Sequence, residues 1–300
     1  MRVLAVVLLA AALAACSTGG GAGRGSTSAS GPVAPAPSLL ASTSASTTAS
    51  PGPSAAVATG SPTARPTSTA ELTASNRARP VIVIDPGHSP AIHAIDSATG
   101  LDVSDYANEP EMRDVFAVAR LVGKQLRKDG YRVVMTKRHA NSRVSLGRRA
   151  AIANRAHAAL AISIHDQAGA EGGIGYRAGN NIVYYQSVGK YRTTPSGKKI
   201  VFTDRAVARK SRRYAKIFRS VRARTEHTRV SVQGDIGYNM ASRGLPAGNM
   251  WLVQLLAKVP WIYNEVGGNS AGRVGLSGHD KRNYANALVR SIEKCVPIPG

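Results

Sequence analysis

The chain has 300 residues, with 39 Lys and Arg against 17 Asp and Glu, and its formal net charge at pH 7 is +22. Hydrophobic residues make up 43% of the chain, and it contains 2 cysteines. A sizeable core can therefore be built, a scaffold of several disulfides is excluded, and the expected partners are anionic.

The first fifteen residues have the layout of a secretory signal. Arg2 is followed by thirteen uncharged residues dominated by Ala, Val and Leu, a run too short to span a bilayer. Residues 13–16 (Leu-Ala-Ala-Cys) resemble a bacterial lipobox, which predicts lipidation of Cys16. The alternative is an ordinary cleaved signal with a chance cysteine. Either reading predicts an exported protein, and the first places it at the outer face of the cytoplasmic membrane.

Residues 16–79 are predicted to be a disordered linker. They consist almost entirely of Ser, Thr, Ala, Gly and Pro and contain no aromatic residue. Such a composition cannot bury enough apolar surface to fold. The remaining residues, 80–300, have the size of one domain. This domain holds 34 basic and 16 acidic side chains, a net charge of +18.

Apolar runs and helical repeats alternate along the domain. Strands are predicted at 81–84, 131–135, 158–164, 183–185, 200–202 and 261–263, and helices at 111–128, 145–156, 205–224, 250–257 and 281–294. This order predicts an α/β fold with a mostly parallel central sheet and helices on both faces.

Polar residues of catalytic type fall at the ends of these strands. His88, His165 and Glu265 each follow or end a strand, and Glu111 opens the first crossover helix. In an open parallel sheet these positions share one edge, where ligands bind. Two imidazoles and one carboxylate with a vacant fourth position are typical of catalytic zinc. A second carboxylate can then move a proton to the leaving nitrogen of a cleaved amide.

Three segments carry a family resemblance. They are residues 83–88 (Val-Ile-Asp-Pro-Gly-His), residues 149–165 (Arg-Ala-x-x-Ala-Asn leading to Ser-Ile-His) and residues 259–265 (Val-Pro-Trp-Ile-Tyr-Asn-Glu). Together they resemble the zinc-dependent N-acetylmuramoyl-L-alanine amidases of the Amidase_3 type. The resemblance implies one Zn²⁺ per domain held by His88, Glu111 and His165, with Glu265 as the catalytic acid and base.

Some assignments have rivals in the sequence. Glu109 is the alternative to Glu111, but it precedes Pro110, a position biased away from helix. His93, in the long loop after His88, is an alternative metal ligand, although a histidine in such a loop is more commonly a solvent-exposed residue without a ligand role. Arg243 is placed where related enzymes often carry an arginine, which implies either contact with a substrate carboxylate or a solvated surface position. Asp85 either orients His88 or only forms a turn.

The predicted function is hydrolysis of the amide bond between N-acetylmuramic acid and L-alanine in peptidoglycan by a zinc-activated water. The alternatives are a non-catalytic wall-binding lipoprotein and a zinc peptidase that cuts within the stem peptide. The basic helix at 205–224 is expected to meet anionic wall polymers or the membrane surface. Nucleic acid is not an expected partner of an exported chain, and a monomer is predicted.

Overall fold

The computed structural model describes residues 79–166, 181–234, 251–267 and 275–299. The strands are β1 (Val81–Pro86), β2 (Arg132–Met135), β3 (Leu160–Asp166), β4 (Asn181–Tyr185), β5 (Tyr191–Thr193), β6 (Lys199–Val201), β7 (Val230–Gly234) and β8 (Trp261–Val266). The helices are α1 (Glu109–Lys128), α2 (Leu146–Arg155), α3 (Arg205–Thr225), α4 (Leu252–Leu256) and α5 (Gly278–Cys295). Within these described ranges no helix is both long and apolar enough to cross a membrane.

A six-stranded sheet in the order β2-β1-β3-β8-β4-β7 forms the centre of the domain. The first four of these strands are parallel, β4 runs antiparallel to β8, and β7 is parallel to β4. The predicted α/β fold with a mostly parallel sheet is confirmed. The strands β1, β3 and β8 are buried along their whole length, as their continuous apolar runs indicate.

Each face of the sheet has its own apolar core. One cluster joins alternate residues of β1, β3 and β8, such as Ile84, Ile162 and Ile262, to α1, α3 and α5. The other joins the opposite residues of the same strands, such as Val83 and Ala161, to α2 and α4. Helices therefore flank both faces, as predicted, and the alternation of side chains along each strand separates the two cores.

Three elements differ from the sequence-based prediction. The predicted strand at 200–202 is β6, which pairs with β5 in a separate hairpin and does not join the sheet. The edge strand β7 was missed, although Val230 and Val232 show the alternation of a half-buried strand. The first helix begins at Glu109, so Pro110 lies inside its first turn, where the absence of an N–H removes no helical hydrogen bond.

Candidate metal centre

The buried carboxylate of Glu111 lies between two buried imidazoles. Its Oε2 is 2.8 Å from Nε2 of His88, and its Oε1 is 2.8 Å from Nδ1 of His165. One ligand atom from each residue can be chosen so that all three lie within 4.8 Å of one another. His88, Glu111 and His165 therefore converge at the carboxyl ends of β1 and β3, as the strand order predicts.

Glu109 and His93, the rival residues, are not part of this cluster. The Glu109 side chain is 77% exposed and pairs with Arg113 one helical turn away, at 3.7 Å. His93 has an exposed side chain in the loop after β1. Arg243 and Cys16 lie outside the described residues.

Burial sets the charge states of the cluster. It lowers the pKa of His88 to about 4 and the pKa of His165 well below the ordinary value, so both imidazoles are neutral at pH 7. Burial also raises the pKa of Glu111 well above its usual range, against hydrogen bonds from the backbone N–H of Asp166 and the side chain of Asn108. Two neutral imidazoles and a carboxyl group that releases its proton when a metal binds form a donor set suited to a divalent ion.

The ring of His88 is oriented by the long loop that follows β1. Its Nδ1 lies 3.3 Å from the carbonyl oxygen of Tyr106, and the Tyr106 ring packs edge-on against it, with ring centroids 4.7 Å apart. Because a carbonyl oxygen only accepts, this contact places the imidazole hydrogen on Nδ1. The lone pair of Nε2 then faces a carboxylate oxygen of Glu111. Two acceptors at 2.8 Å require a proton or a cation between them.

Two buried cations hold the backbone of His88. His88 has a left-handed conformation with φ of +52°, which is uncommon for a residue other than glycine. Its carbonyl oxygen accepts hydrogen bonds from Nζ of Lys137 and from a guanidinium nitrogen of Arg149, both at 2.6 Å. Burial, with a smaller contribution from Arg149, lowers the pKa of Lys137 to about 7. The sequence-based interpretation did not single out Lys137.

Arg149 connects the loop after β1 to the end of that strand and is one of three residues that contact the Asp85 carboxylate. One guanidinium nitrogen bonds Asp85 and the other bonds Asp105, each at 2.8 Å. Asp85 also accepts hydrogen bonds from Thr136 and Ser163. These contacts are with the framework rather than the His88 ring. The suggestion that Asp85 orients His88 directly is therefore wrong, because Tyr106 takes that position.

Glu265 lies beside His165 on the neighbouring strand. The two residues are direct partners in the register of β3 and β8, and the ring of Tyr263 stacks on His165 with centroids 4.3 Å apart. Burial and the nearby Glu111 raise the pKa of Glu265 well above its usual range. Among the described residues, its Oε2 is buried without a hydrogen-bond partner.

Arg222 of α3 contacts the backbone of Glu265. It is fully buried, donates to the backbone carbonyl of Glu265 at 3.1 Å and pairs with Glu226 at 2.7 Å. Its guanidinium also stacks on Tyr284, 4.7 Å from the ring centroid. The sequence-based prediction treated Arg222 only as one of ten basic residues in this helical region.

The family model for N-acetylmuramoyl-L-alanine amidases of the Amidase_3 type matches residues 82–294. The chain belongs to this family. The match confirms the family and the reaction predicted from the sequence, hydrolysis of the amide bond between N-acetylmuramic acid and L-alanine of peptidoglycan.

A solved amidase structure shows the same fold. The amidase Ami1 of Mycobacterium smegmatis is 20% identical over 72% of this chain and 96% of its own, with a TM-score of 0.50. The catalytic domain of the amidase CwlV from Bacillus (Paenibacillus) polymyxa is 18% identical over 73% of this chain and 99% of its own, with a TM-score of 0.49. A search of the curated proteins finds no match.

Proposed function

We propose that this amidase acts through one zinc ion held by His88, Glu111 and His165, with Glu265 as the group that moves the proton. The observation that carries the proposal is the approach of the neutral Nε2 of His88 to a carboxylate oxygen of Glu111, at 2.8 Å. Zinc bonds of about 2.0–2.2 Å bring ligand atoms within roughly 3.5 Å of one another. The three residues, whose atoms lie within 4.8 Å, need only small side-chain movements to fit.

A zinc ion held by His88, Glu111 and His165 would supply a polarised scissile carbonyl and a water molecule of lowered pKa. Glu265 accepts a proton from the attacking water at its carboxylate and returns it to the leaving nitrogen of L-alanine. The pKa of a carboxyl that performs both steps must lie above the ordinary glutamate range. Burial and the proximity of Glu111 supply that shift.

The experiment is product identification on purified sacculi, with the full chain in the presence of zinc or of a chelator. Mass spectrometry should find intact muramic acid and a free L-alanine amino group. Glu265→Gln should keep the metal content and lower the rate by about 10²-fold or more, as expected when a general acid or base is removed. An unchanged rate would remove Glu265 from the mechanism.

Two other results would point to the alternative functions. Products cleaved within the stem peptide indicate a zinc peptidase. Binding to sacculi without digestion under any divalent metal indicates a wall-binding lipoprotein. Metal analysis of the wild-type chain and of His165→Ala separates a wrong metal assignment from a wrong reaction.

The localisation is part of the same proposal. Peptidoglycan lies outside the cytoplasmic membrane, so an enzyme that cleaves it must be exported, and residues 1–15 have the composition of an export signal. Lipidation of Cys16 would keep the domain on the outer face of that membrane, on a tether of residues 17–79. Labelling with a radioactive fatty acid should mark the wild-type chain and not Cys16→Ser.

Arg243 remains a proposed contact for a stem-peptide carboxylate. An arginine can bind a carboxylate through two parallel hydrogen bonds, which lysine cannot reproduce. Arg243→Lys should therefore raise KM and leave kcat nearly unchanged. Equal KM values in the two enzymes would assign Arg243 to the solvated surface.

A further inference from the structure

The outer face of α3 carries a row of five exposed cations. Successive members are separated by three or four residues, so they lie on one side of the helix. Over this span the helix rises by about 21 Å, at about 1.5 Å per residue. The row consists of Arg205, Arg209, Arg212, Lys216 and Arg219, all exposed.

Packing of the domain buries only one of the many cations in this helical region. Of the ten Lys and Arg residues between 205 and 229, only Arg222 is buried. No Asp or Glu occurs within α3, and the inner side of the helix packs through residues such as Tyr214 and Phe218. Like charges three and four residues apart destabilise a helix by a few tenths of a kcal/mol per pair. A row that opposes folding in this way is understandable if it binds a partner.

The row leads toward the metal centre. In the first half of α3, the hydroxyl of Ser211 donates a hydrogen bond to the carbonyl of Trp261 at the beginning of β8. In its last turn, Arg222 bonds the carbonyl of Glu265 near the end of the same strand. The helix therefore runs alongside β8 from the opposite edge of the sheet to the edge with the candidate ligands.

We propose that the row on α3 binds a linear phosphodiester polymer of the bacterial envelope. Four of its five members are arginines, whose guanidinium forks match phosphate oxygens better than an ammonium does. Among the described residues, none of the exposed large hydrophobic side chains lies on α3, so this face lacks the apolar anchors with which an amphipathic helix enters a bilayer. A straight row of cations fits an extended chain of anions. This inference depends on the proposed export of the chain and does not depend on the proposed catalytic mechanism.

The test measures binding of the full chain to synthetic poly(glycerol phosphate) as a function of salt. The row variant changes all five members to Gln. A matched control changes five other exposed cations, on α1 and α5, to Gln, which lowers the net charge equally; these are Arg120, Lys124, Arg127, Arg282 and Arg290. The row variant should lose about tenfold or more in affinity, and its slope of log K against log salt should be shallower by about 3.5 if each contact resembles one to a single nucleic acid strand. The control should stay within about twofold of the wild type.

An equal loss in the two variants would overturn the proposal, because net charge alone would then explain the binding. Tighter binding to phosphatidylglycerol vesicles than to the polymer, lost only in the row variant, would overturn it in favour of a membrane surface. Circular dichroism should show the same folded spectrum for all three proteins. Glu265→Gln should keep polymer binding, and the row variant should still cleave a small soluble muramyl peptide. Failure of the binding proposal and failure of the catalytic proposal are therefore distinguishable.

Discussion

The backbone of Gly87 passes directly against the imidazole ring of His165. A Cβ at position 87 would overlap three atoms of that ring, and the Gly87 N–H donates to the carbonyl of Ile164 at 2.9 Å. The backbone that follows β1 therefore packs directly against the ring of His165 and limits where this ring can lie. The glycine between Pro86 and His88 is required by this close approach rather than by a special φ angle.

We predict that Gly87→Ala displaces His165 and weakens metal binding. Small displacements at a reacting centre cost about 10²-fold in rate, and zinc affinity should fall by at least a similar factor. Zinc titration and the rate of stem-peptide release check this. The control is Gly123→Ala in α1, where a Cβ would meet only ordinary contacts and the movable end of Arg127. The control should keep the metal and gain up to about 1 kcal/mol of stability. Equal metal affinity in Gly87→Ala and the wild type would contradict the prediction.

Much of the fold and the ligand set could be predicted, because both depend on local patterns. Continuous apolar runs indicate the buried strands, and parallel strands bring their carboxyl ends to one edge, where His88 and His165 meet. The supporting contacts could not be predicted in the same way. Lys137 and Arg222 reach the site as buried cations, although the sequence pattern alone places such residues on the surface. The carbonyl of Tyr106 is a backbone atom whose position depends on how a long loop folds.

Lys137→Met should weaken metal binding without unfolding the domain. The substitution removes the hydrogen bonds that Lys137 donates to the carbonyls of Gly87 and His88, at 2.9 Å and 2.6 Å. The carbonyl oxygen of His88 then keeps the hydrogen bond from Arg149 only. Loss of such supporting contacts typically costs 10–100-fold in metal affinity. Zinc titration checks the affinity, and urea unfolding checks that the domain remains folded.

Lys137→Arg serves as the conservative comparison, because arginine also donates to backbone carbonyls. It should recover most of the affinity lost in Lys137→Met. If the two variants bind zinc equally weakly, the hydrogen bonds to the His88 carbonyl do not position this ligand.

Arg222→Lys should lower kcat and leave metal affinity unchanged. Lysine keeps the charge but cannot contact Glu226, Tyr284 and the carbonyl of Glu265 through one planar group, as Arg222 does. Glu265 then loses part of its support, while the three candidate ligands keep theirs. We expect a loss of about tenfold in kcat, the size associated with a slightly misplaced catalytic group. A parallel loss of zinc would show that Arg222 supports the whole edge of the sheet.

The thiol of Cys295 should be unreactive in the folded chain. Burial raises its pKa to about 12 from an ordinary value of 9.0. The native state therefore keeps the proton while the unfolded chain loses it, and the free energy of unfolding falls as pH rises from about 9 to 12. At pH 9, alkylation by iodoacetamide should be about 100-fold or more slower in the native protein than in urea. Cys16→Ser leaves Cys295 as the only thiol for this measurement. Equal rates in the two states would show that Cys295 is accessible.

Zinc should raise the melting temperature of the wild-type chain and not that of Glu111→Ala. A ligand that binds only the native state adds about 4 kcal/mol at a thousand times its Kd. The contribution requires Glu111, whose carboxylate contacts both histidines at 2.8 Å. Glu109→Ala is the matched control, because it removes an exposed carboxylate two residues away in the same first turn of α1. The control should show the full zinc-dependent shift, and adding a chelator should abolish it. If zinc raises the melting temperature of Glu111→Ala but not that of Glu109→Ala, Glu109 and not Glu111 is the ligand. If zinc raises the melting temperature of neither variant, metal binding depends on the whole helical turn rather than on one carboxylate.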